Sequence, residues 1–169
     1  NIYLYNSVFT NNYAIAGDGG AIYSDSDSTS LNLRNCTFNG NYATQGVAKR
    51  YGGAICCKGS VYVNSSTFKD NWAQNKGGAI YAYKTFSCQD NSYFINNRVY
   101  VDGGGAVHTD RLGSVENTTF ESCFAQGDGG AIYVDSSGTV DILNSYFKND
   151  HAKSRGGAIY TDSSASYMK

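Results

Sequence analysis

The segment Gly77-Gly78-Ala79-Ile80-Tyr81 decides the fold, because close copies of it recur along the whole chain. The copies follow one another at intervals of 25 to 33 residues: GGAIY at Gly19, GGAIC at Gly52, GGAVH at Gly104, and GGAIY at Gly129 and Gly156. A regular period of this length is typical of repeat proteins, in which each copy forms one structural unit and stacks on the next.

A second motif, centred on phenylalanine, lies between the glycine motifs. It recurs six times, at Phe9, Phe38, Phe68, Phe94, Phe120 and Phe147. Three residues before each Phe stands Asn6, Asn35, Asn91, Asn117 or Asn144, with Ser65 as the exception. Three residues after it stands Asn12, Asn41, Asn71 or Asn97, and then Cys123 and Asp150 in the last two copies. Two independent markers that alternate six times exclude coincidence.

The composition favours β-structure over helical repeats. The 169 residues include 15 Tyr and 20 Gly but no Pro, and charged residues make up 16%. No stretch shows the apolar spacing of an amphipathic helix, and leucine is too scarce for a leucine-rich repeat. Short runs of β-favouring residues separated by turn residues remain, so the sequence predicts an all-β, right-handed parallel β-helix of about six coils.

Each coil is predicted to contain three short strands. The first is the GGAIY segment, the second lies at positions such as 31–33, 61–63 and 140–142, and the third follows through F-x-x-N. The Ile of the glycine motif and the Phe should each form an interior stack, and the paired glycines should permit a tight turn. The Asn before T-F should turn the corner in a left-handed conformation, and its amides should stack as a buried ladder. A longer spacing after Phe38 places a surface insertion at 42–51.

The domain prediction is a single β-helix over 1–169. The chain begins inside a predicted second strand and stops just after the first strand at Ile159 and Tyr160, so we expect it to be a fragment of a longer stack, with further coils or a capping partner at both ends. All five cysteines lack metal-ligand spacing, and most are predicted to be free thiols in the stacks.

The alternation of GGAI with F-x-x-N resembles the repeats of polymorphic outer-membrane proteins and related adhesin-like surface proteins. The resemblance covers essentially the whole chain and departs from the pattern at GGAV and at the Cys123 and Asp150 positions. It implies a surface-displayed β-helical stalk with adhesive roles and no catalytic residues.

Two aromatic files are candidate contact surfaces. If the Ile of the glycine motif points inward, alternation sends the next residue outward, which gives Tyr23, Tyr81, Tyr133 and Tyr160, interrupted by Cys56 and His108. A second file holds Tyr13, Tyr42, Trp72 and Phe124, interrupted by Arg98 and His151. The rings either only stabilise neighbouring coils or form a strip for a glycan or a protein partner.

A carbohydrate-active β-helix is the alternative function. Its carboxylates would be Asp110, Asp135 and Asp162, which should lie in a row on successive coils, although each could simply begin a turn. His108 and His151 show no apparent partner and are interpreted as surface residues. Sequons occur at Asn35, Asn64 and Asn117, and a glycan at Asn35 or Asn117 should compete with the ladder. No cofactor, metal site or catalytic residue is predicted.

The sequence thus predicts a non-catalytic adhesin-like module at the cell surface or outside the cell. Its partner would be a protein or glycan on a host or neighbouring cell. The net charge of −1 gives no attraction to nucleic acid, and no segment approaches the length of a membrane span.

Overall fold

The computed structural model describes residues 1–44, 50–135, 139–162 and 167–168, and all their regular secondary structure is β-strand. The first three coils contain β1 Ile2–Tyr5, β2 Val8–Thr10, β3 Tyr13–Ala14; β4 Ile22–Ser24, β5 Ser30–Arg34, β6 Thr37–Asn39, β7 Tyr42–Ala43; and β8 Ile55–Cys57, β9 Ser60–Asn64, β10 Thr67–Lys69, β11 Trp72–Ala73. The next three contain β12 Ile80–Gln89, β13 Ser92–Ile95, β14 Arg98–Val99; β15 Val107–Glu116, β16 Thr118–Glu121, β17 Phe124–Ala125; and β18 Ile132–Val134, β19 Thr139–Leu143, β20 Tyr146–Lys148, β21 His151–Ala152. Strands β22 Ile159–Thr161 and β23 Tyr167–Met168 follow.

Successive coils pair through parallel strands in three sheets, which confirms the parallel β-helix of about six turns. The second sheet runs β2-β6-β10-β13-β16-β20, and the third runs β3-β7-β11-β14-β17-β21. The first sheet contains both the strand after the glycine motif and the strand that follows it, and these two fuse into the ten-residue strands β12 and β15. The right-handed sense of the coil stays a prediction.

The F-x-x-N segment is divided more finely than the sequence indicated. It contributes one strand to the second sheet and another to the third, because a residue of positive φ turns the chain between them. That residue lies two positions after each Phe and has φ between 53° and 63°: Asn11, Gly40, Asp70, Asn96, Ser122 and Asn149. Asn, Gly, Asp and Ser tolerate this conformation, so the corner carries a sequence signal that is easily overlooked.

The predicted interior stacks are present. The six Phe residues pair in register from coil to coil, and consecutive rings lie 4.7 to 4.9 Å apart and nearly parallel. The glycine-motif stack contains the fully buried Ile55, Ile80, Val107 and Ile132. The two stacks belong to one continuous hydrophobic core that runs along the axis.

The predicted asparagine ladder is built from a different asparagine. The residues before T-F do turn the corner in the left-handed region, with φ between 46° and 57°: Asn6, Asn35, Ser65, Asn91, Asn117 and Asn144. These six residues are exposed, and only Asn35 donates to Asn6, at 2.7 Å, as a ladder would require. The expectation that a glycan at Asn35 or Asn117 would compete with a buried ladder is therefore wrong, since both side chains lie on the surface.

The buried ladder uses the Asn of F-x-x-N. Asn41 donates its side-chain amide to Asn71 Oδ1 at 3.0 Å, and Asn71 donates to Asn97 Oδ1 at 3.0 Å. Each of these amides also donates to a main-chain carbonyl, as Asn41 does to Phe9 at 2.9 Å. Asn41, Asn71 and Asn97 are fully buried, so the ladder satisfies polar groups that would otherwise be costly to bury.

The paired glycines have separate roles. The first of each pair has a positive φ, for example 62° at Gly77. A Cβ on the second would collide with the next coil: at Gly78 it would lie 2.0 Å from the carbonyl oxygen of Gly105. Only glycine fits where two coils approach so closely.

The five cysteines are free and buried, as predicted. Of the predicted insertion at 42–51, Tyr42 and Ala43 form β7, and 45–49 lie outside the described residues. The single-domain assignment and the extension into a longer stack stay predictions.

Gly78→Ala should unfold the chain or destabilise it by at least about 3 kcal/mol, because the new methyl group collides with backbone rather than with a movable side chain. Gly157→Ala is the matched control, since its Cβ would lie 3.6 Å from the nearest atom and φ is not positive. Urea denaturation followed by circular dichroism measures both. Equal stability of the two variants would contradict the close-approach explanation.

Asp150→Asn should stabilise the chain at neutral pH. Asp150 occupies a ladder position, its Oδ2 is buried without a hydrogen-bond partner, and burial raises its pKa from 3.8 to about 6. A raised pKa means that the folded state favours the protonated acid, so this contribution is present below pH 4 and is lost as the pH rises through 6. The shift corresponds to about 3 kcal/mol, which partial exposure to solvent reduces to about 1 kcal/mol.

Denaturation of the parent chain and of Asp150→Asn at pH 4 and pH 7.5 measures this effect. The advantage of the variant should be largest at pH 7.5 and should shrink at pH 4. A constant difference would show that ionisation of Asp150 does not limit the ladder.

Candidate functional site

The predicted tyrosine file exists, but most of it is covered. Its six members pair in register across the coils: Tyr23, Cys56, Tyr81, His108, Tyr133 and Tyr160. Tyr81 is only 6% exposed and Tyr133 8%, whereas Tyr23 is 48% exposed. The expectation of a flat outward strip is therefore wrong for the middle of the file.

Neighbouring side chains account for this burial. The ring of Tyr51 packs 5.0 Å from that of Tyr81, and the ring of Tyr83 lies 4.4 Å away on another side. The ammonium group of Lys76 lies 5.7 Å from the centre of the Tyr81 ring. Alternation correctly placed these tyrosines on the opposite side of the strand from the Ile stack, but it could not show that a second layer covers them.

His108 is the polar centre of this covered layer. It is fully buried, and its Nε2 lies 2.7 Å from Asp135 Oδ2 while Nδ1 lies 3.2 Å from the carbonyl oxygen of Gly103. The prediction that His108 is a surface residue without a partner is wrong. His151, by contrast, is exposed as expected.

The two acceptors define the chemistry of the imidazole. A carbonyl oxygen and an ionised carboxylate only accept hydrogen bonds, so both ring nitrogens of His108 must donate to satisfy them. The positively charged imidazolium fits this arrangement. Lys76 Nζ also approaches Asp135 Oδ2, at 3.3 Å, so one carboxylate lies between two cations.

The pKa values of Asp135 and Asp110 are shifted in opposite directions. Burial acts to raise the pKa of Asp135, but the hydrogen bond from His108 and the charges of His108 and Lys76 outweigh it and hold that pKa below its usual range. Burial raises the pKa of Asp110, and the negative charge of Asp135 adds to the effect. The surroundings therefore favour the ionised form of Asp135 and disfavour that of Asp110.

The predicted row of carboxylates lies on successive coils, as expected, but its members have different partners. The backbone N–H of Asp135 donates to Thr109 and that of Asp162 to Val134, each at 2.9 Å, which keeps the row in register. Asp162 accepts hydrogen bonds from the hydroxyls of Tyr133 and Tyr160, at 3.4 and 3.0 Å, whereas Asp135 binds His108 and Lys76.

No metal centre is formed by the part of the chain that the structure describes, because none of its His, Cys, Asp and Glu residues cluster in threes suitable for an ion. A fully buried His108 is also closed to a substrate. The arrangement therefore matches a polar cluster that holds neighbouring coils together, and His108 fits a positioning role within the fold rather than that of a base.

The second aromatic file is in register and more open. It runs Tyr13, Tyr42, Trp72, Arg98, Phe124 and His151. The rings of Tyr13 and Tyr42, and of Tyr42 and Trp72, stack at 5.3 Å. Stacking of these rings stabilises neighbouring coils, and the alternative that the file also forms a strip for a partner stays a prediction.

A further surface was not singled out from the sequence. A trough of about 430 Å³ lies on the outer face of the first sheet, and its walls include Tyr3, Arg34, Tyr62 and Gln89. Alternation within the second strand of each coil could have indicated it, because Leu and Val at the inward positions leave residues such as Tyr62 on the outside.

Asp135→Asn should destabilise the chain at neutral pH by about 1 to 2 kcal/mol, because an uncharged amide leaves His108 and Lys76 without their counter-ion. The lowered pKa of Asp135 means that its contribution is present above about pH 4 and is lost as the pH falls through the folded-state value. Denaturation at pH 7.5 and pH 3 checks this. The loss should shrink at pH 3, and a loss of equal size at both pH values would contradict the ionic role.

None of the described residues form a helix long and apolar enough to span a bilayer.

Comparison with known proteins gives two matches. The repeat described as the Chlamydia polymorphic membrane protein (Chlamydia_PMP) repeat matches residues 6–25, 35–58 and 65–83. A protein of Escherichia coli (strain K12) described as "Probable autotransporter YfaL" is 34% identical over 157 residues, which covers 77% of this chain and 12% of that protein. The chain thus spans about an eighth of the length of this relative. No solved structure matches the chain.

The matched residues contain three consecutive copies of the GGAI and F-x-x-N motifs, in the coils where both are most regular. These matches confirm that residues 6–25, 35–58 and 65–83 are similar to polymorphic membrane protein repeats.

Proposed function

We propose that this chain is a surface-exposed, adhesin-like segment of a larger protein and that it mediates attachment to a cell or substrate without catalysis. The observation that carries the proposal is the repeat itself, which is similar to polymorphic membrane protein repeats and here builds a β-helix. The 34% identity to a protein described as a probable autotransporter supports it. A β-helix of this kind offers long outer faces at the cell surface or outside the cell.

The non-catalytic part of the proposal rests on the polar cluster. His108, the histidine beside Asp135 of the predicted carboxylate row, is fully buried and already engaged at both ring nitrogens. Asp162 is engaged with tyrosine hydroxyls. These groups hold the fold and offer no acid/base pair over a groove, so a carbohydrate-active enzyme is not the function that the geometry favours.

The partner is a protein or glycan on a host or neighbouring cell. The tyrosine file contributes to that contact only through accessible members such as Tyr23, because Tyr81 and Tyr133 are buried. The outer faces of the sheets provide more accessible aromatic area, including Tyr13 and Tyr100, which are 56% and 53% exposed.

Beads coated with the folded chain should adhere to cultured cells in a saturable manner, and excess soluble chain should block adhesion. The matched control is the same chain carrying Gly78→Ala, whose collision with the neighbouring coil should remove the fold but leave the outer residues unchanged in sequence. Equal adhesion of beads coated with albumin or with the unfolded variant would refute attachment by a folded surface.

Two further readouts test the remaining parts of the proposal. Antibodies against the chain should label intact cells of the organism that produces it, and labelling only after permeabilisation would refute surface exposure. Incubation with polysaccharides should release no new reducing ends or unsaturated products. Release that Asp110→Asn abolishes would overturn the non-catalytic assignment.

A further inference from the structure

The trough on the first sheet spans several successive coils. Its lining residues come from β1, β5, β9, β12 and β15, and within it Tyr3 pairs with Asn32, Asn32 with Tyr62, and Tyr62 with Ser87. A volume of about 430 Å³ lies within the range of small-molecule sites. The trough is thus continuous across the stack and does not belong to one loop.

Its depth arises from a change in side-chain size along the file. In the next coil, Ser87 occupies the position of Tyr62. Beyond Ser87 the strand pairing is irregular, since Phe86 opposes Leu112 but Cys88 opposes Val115. Two residues of β15, Gly113 and Ser114, therefore face the single residue Ser87, which is the pattern of a β-bulge. A Cβ on Gly113 would lie 2.1 Å from Ser87 Oγ, so a larger residue at this position would require the Ser87 side chain to move.

The aromatic part of the wall is available for contact. Tyr62 is 40% exposed, Tyr3 54% and Tyr5 56%. Tyr3 and Tyr5 stack on each other with ring centres 6.3 Å apart, whereas no ring of the described chain packs on Tyr62. An accessible tyrosine ring beside polar groups is a suitable surface for the C–H face of a pyranose.

The polar part of the wall has unused hydrogen-bonding capacity. The side chains of Arg34, Ser87, Gln89 and Ser114 make no hydrogen bond or ion pair with any residue that the structure describes. Arg34 is also the one charged residue that lines the trough. Its guanidinium is suited to a bidentate contact with a carboxylate, and the neighbouring amide and hydroxyls suit sugar hydroxyls.

We propose that the trough is a glycan-binding site and that it takes an oligosaccharide bearing a carboxylated sugar, which stacks on Tyr62 and pairs its carboxylate with Arg34. The proposal deepens the proposed function, on which it rests, by naming the class of partner. The site is separate from the tyrosine file and from the polar cluster around His108.

An oligosaccharide array that presents each carboxylated glycan beside its carboxyl-reduced form and a sulfated form tests the site, with the folded chain as probe. Binding should favour a carboxylated glycan at least tenfold over its reduced form. Arg34→Gln should remove that preference, and Tyr62→Ala should reduce binding to both forms at least tenfold. Tyr146→Ala is the matched control, because Tyr146 is 71% exposed and lies on the second sheet.

The results separate this inference from the proposed function. Adhesion to cells without glycan binding would overturn the trough and retain the attachment function, and would point to a protein partner. Glycan binding without adhesion to cells would retain the trough as a glycan-binding site and overturn the attachment function. Binding that follows total charge on sulfated and carboxylated glycans alike, or that survives Tyr62→Ala in a variant that melts like the parent chain, would also overturn the proposal.

Discussion

Parallel hydrogen bonding between successive coils brings each residue over its counterpart one repeat later, at the spacing of neighbouring strands, about 4.8 Å. A residue type that recurs at one position of the repeat must therefore pack favourably against the same residue type in the next coil. Phenylalanine does so by stacking its rings at 4.7 to 4.9 Å, and asparagine does so because an amide both donates and accepts. Glycine does so where the coils approach so closely that no Cβ fits.

Charged residues are the exceptions that the same constraint makes costly. Asp150 occupies an asparagine position but can only accept hydrogen bonds when ionised, and burial of its carboxylate raises its pKa to about 6. His108 is tolerated in the tyrosine file because Asp135 and the Gly103 carbonyl form hydrogen bonds with its two ring nitrogens. Gly103 serves the file in a second way, since a Cβ there would lie 2.3 Å from the Tyr133 ring. A substitution in one file thus depends on substitutions in the files beside it.

The same constraint explains how far the sequence could predict the structure. Stacking repeats each motif in the sequence, so the coil number, the parallel pairing and the Ile and Phe stacks could be inferred without coordinates. The identity of the buried asparagine could not be inferred from the sequence. The positions of Asn35 and Asn41 both recur once per coil, and they differ only in the direction in which the backbone turns. The exposure of the tyrosine file was likewise beyond alternation, since alternation assigns Tyr81 a side of its strand and says nothing about what covers that side.

The candidate site was the least predictable feature, because a site here is a departure from the repeat. The trough exists where Tyr62 is followed by Ser87 and where the pairing slips at Gly113, and neither feature belongs to a recurring motif. Interior residues of a β-helix must pack against the corresponding residues of the adjacent coils and against the rest of the core. Outer residues contact only solvent and their immediate neighbours. Residues on the outer face can therefore change from coil to coil without loss of the fold. A binding surface in such a protein is best sought where an outer file changes side-chain size or where the pairing register shifts.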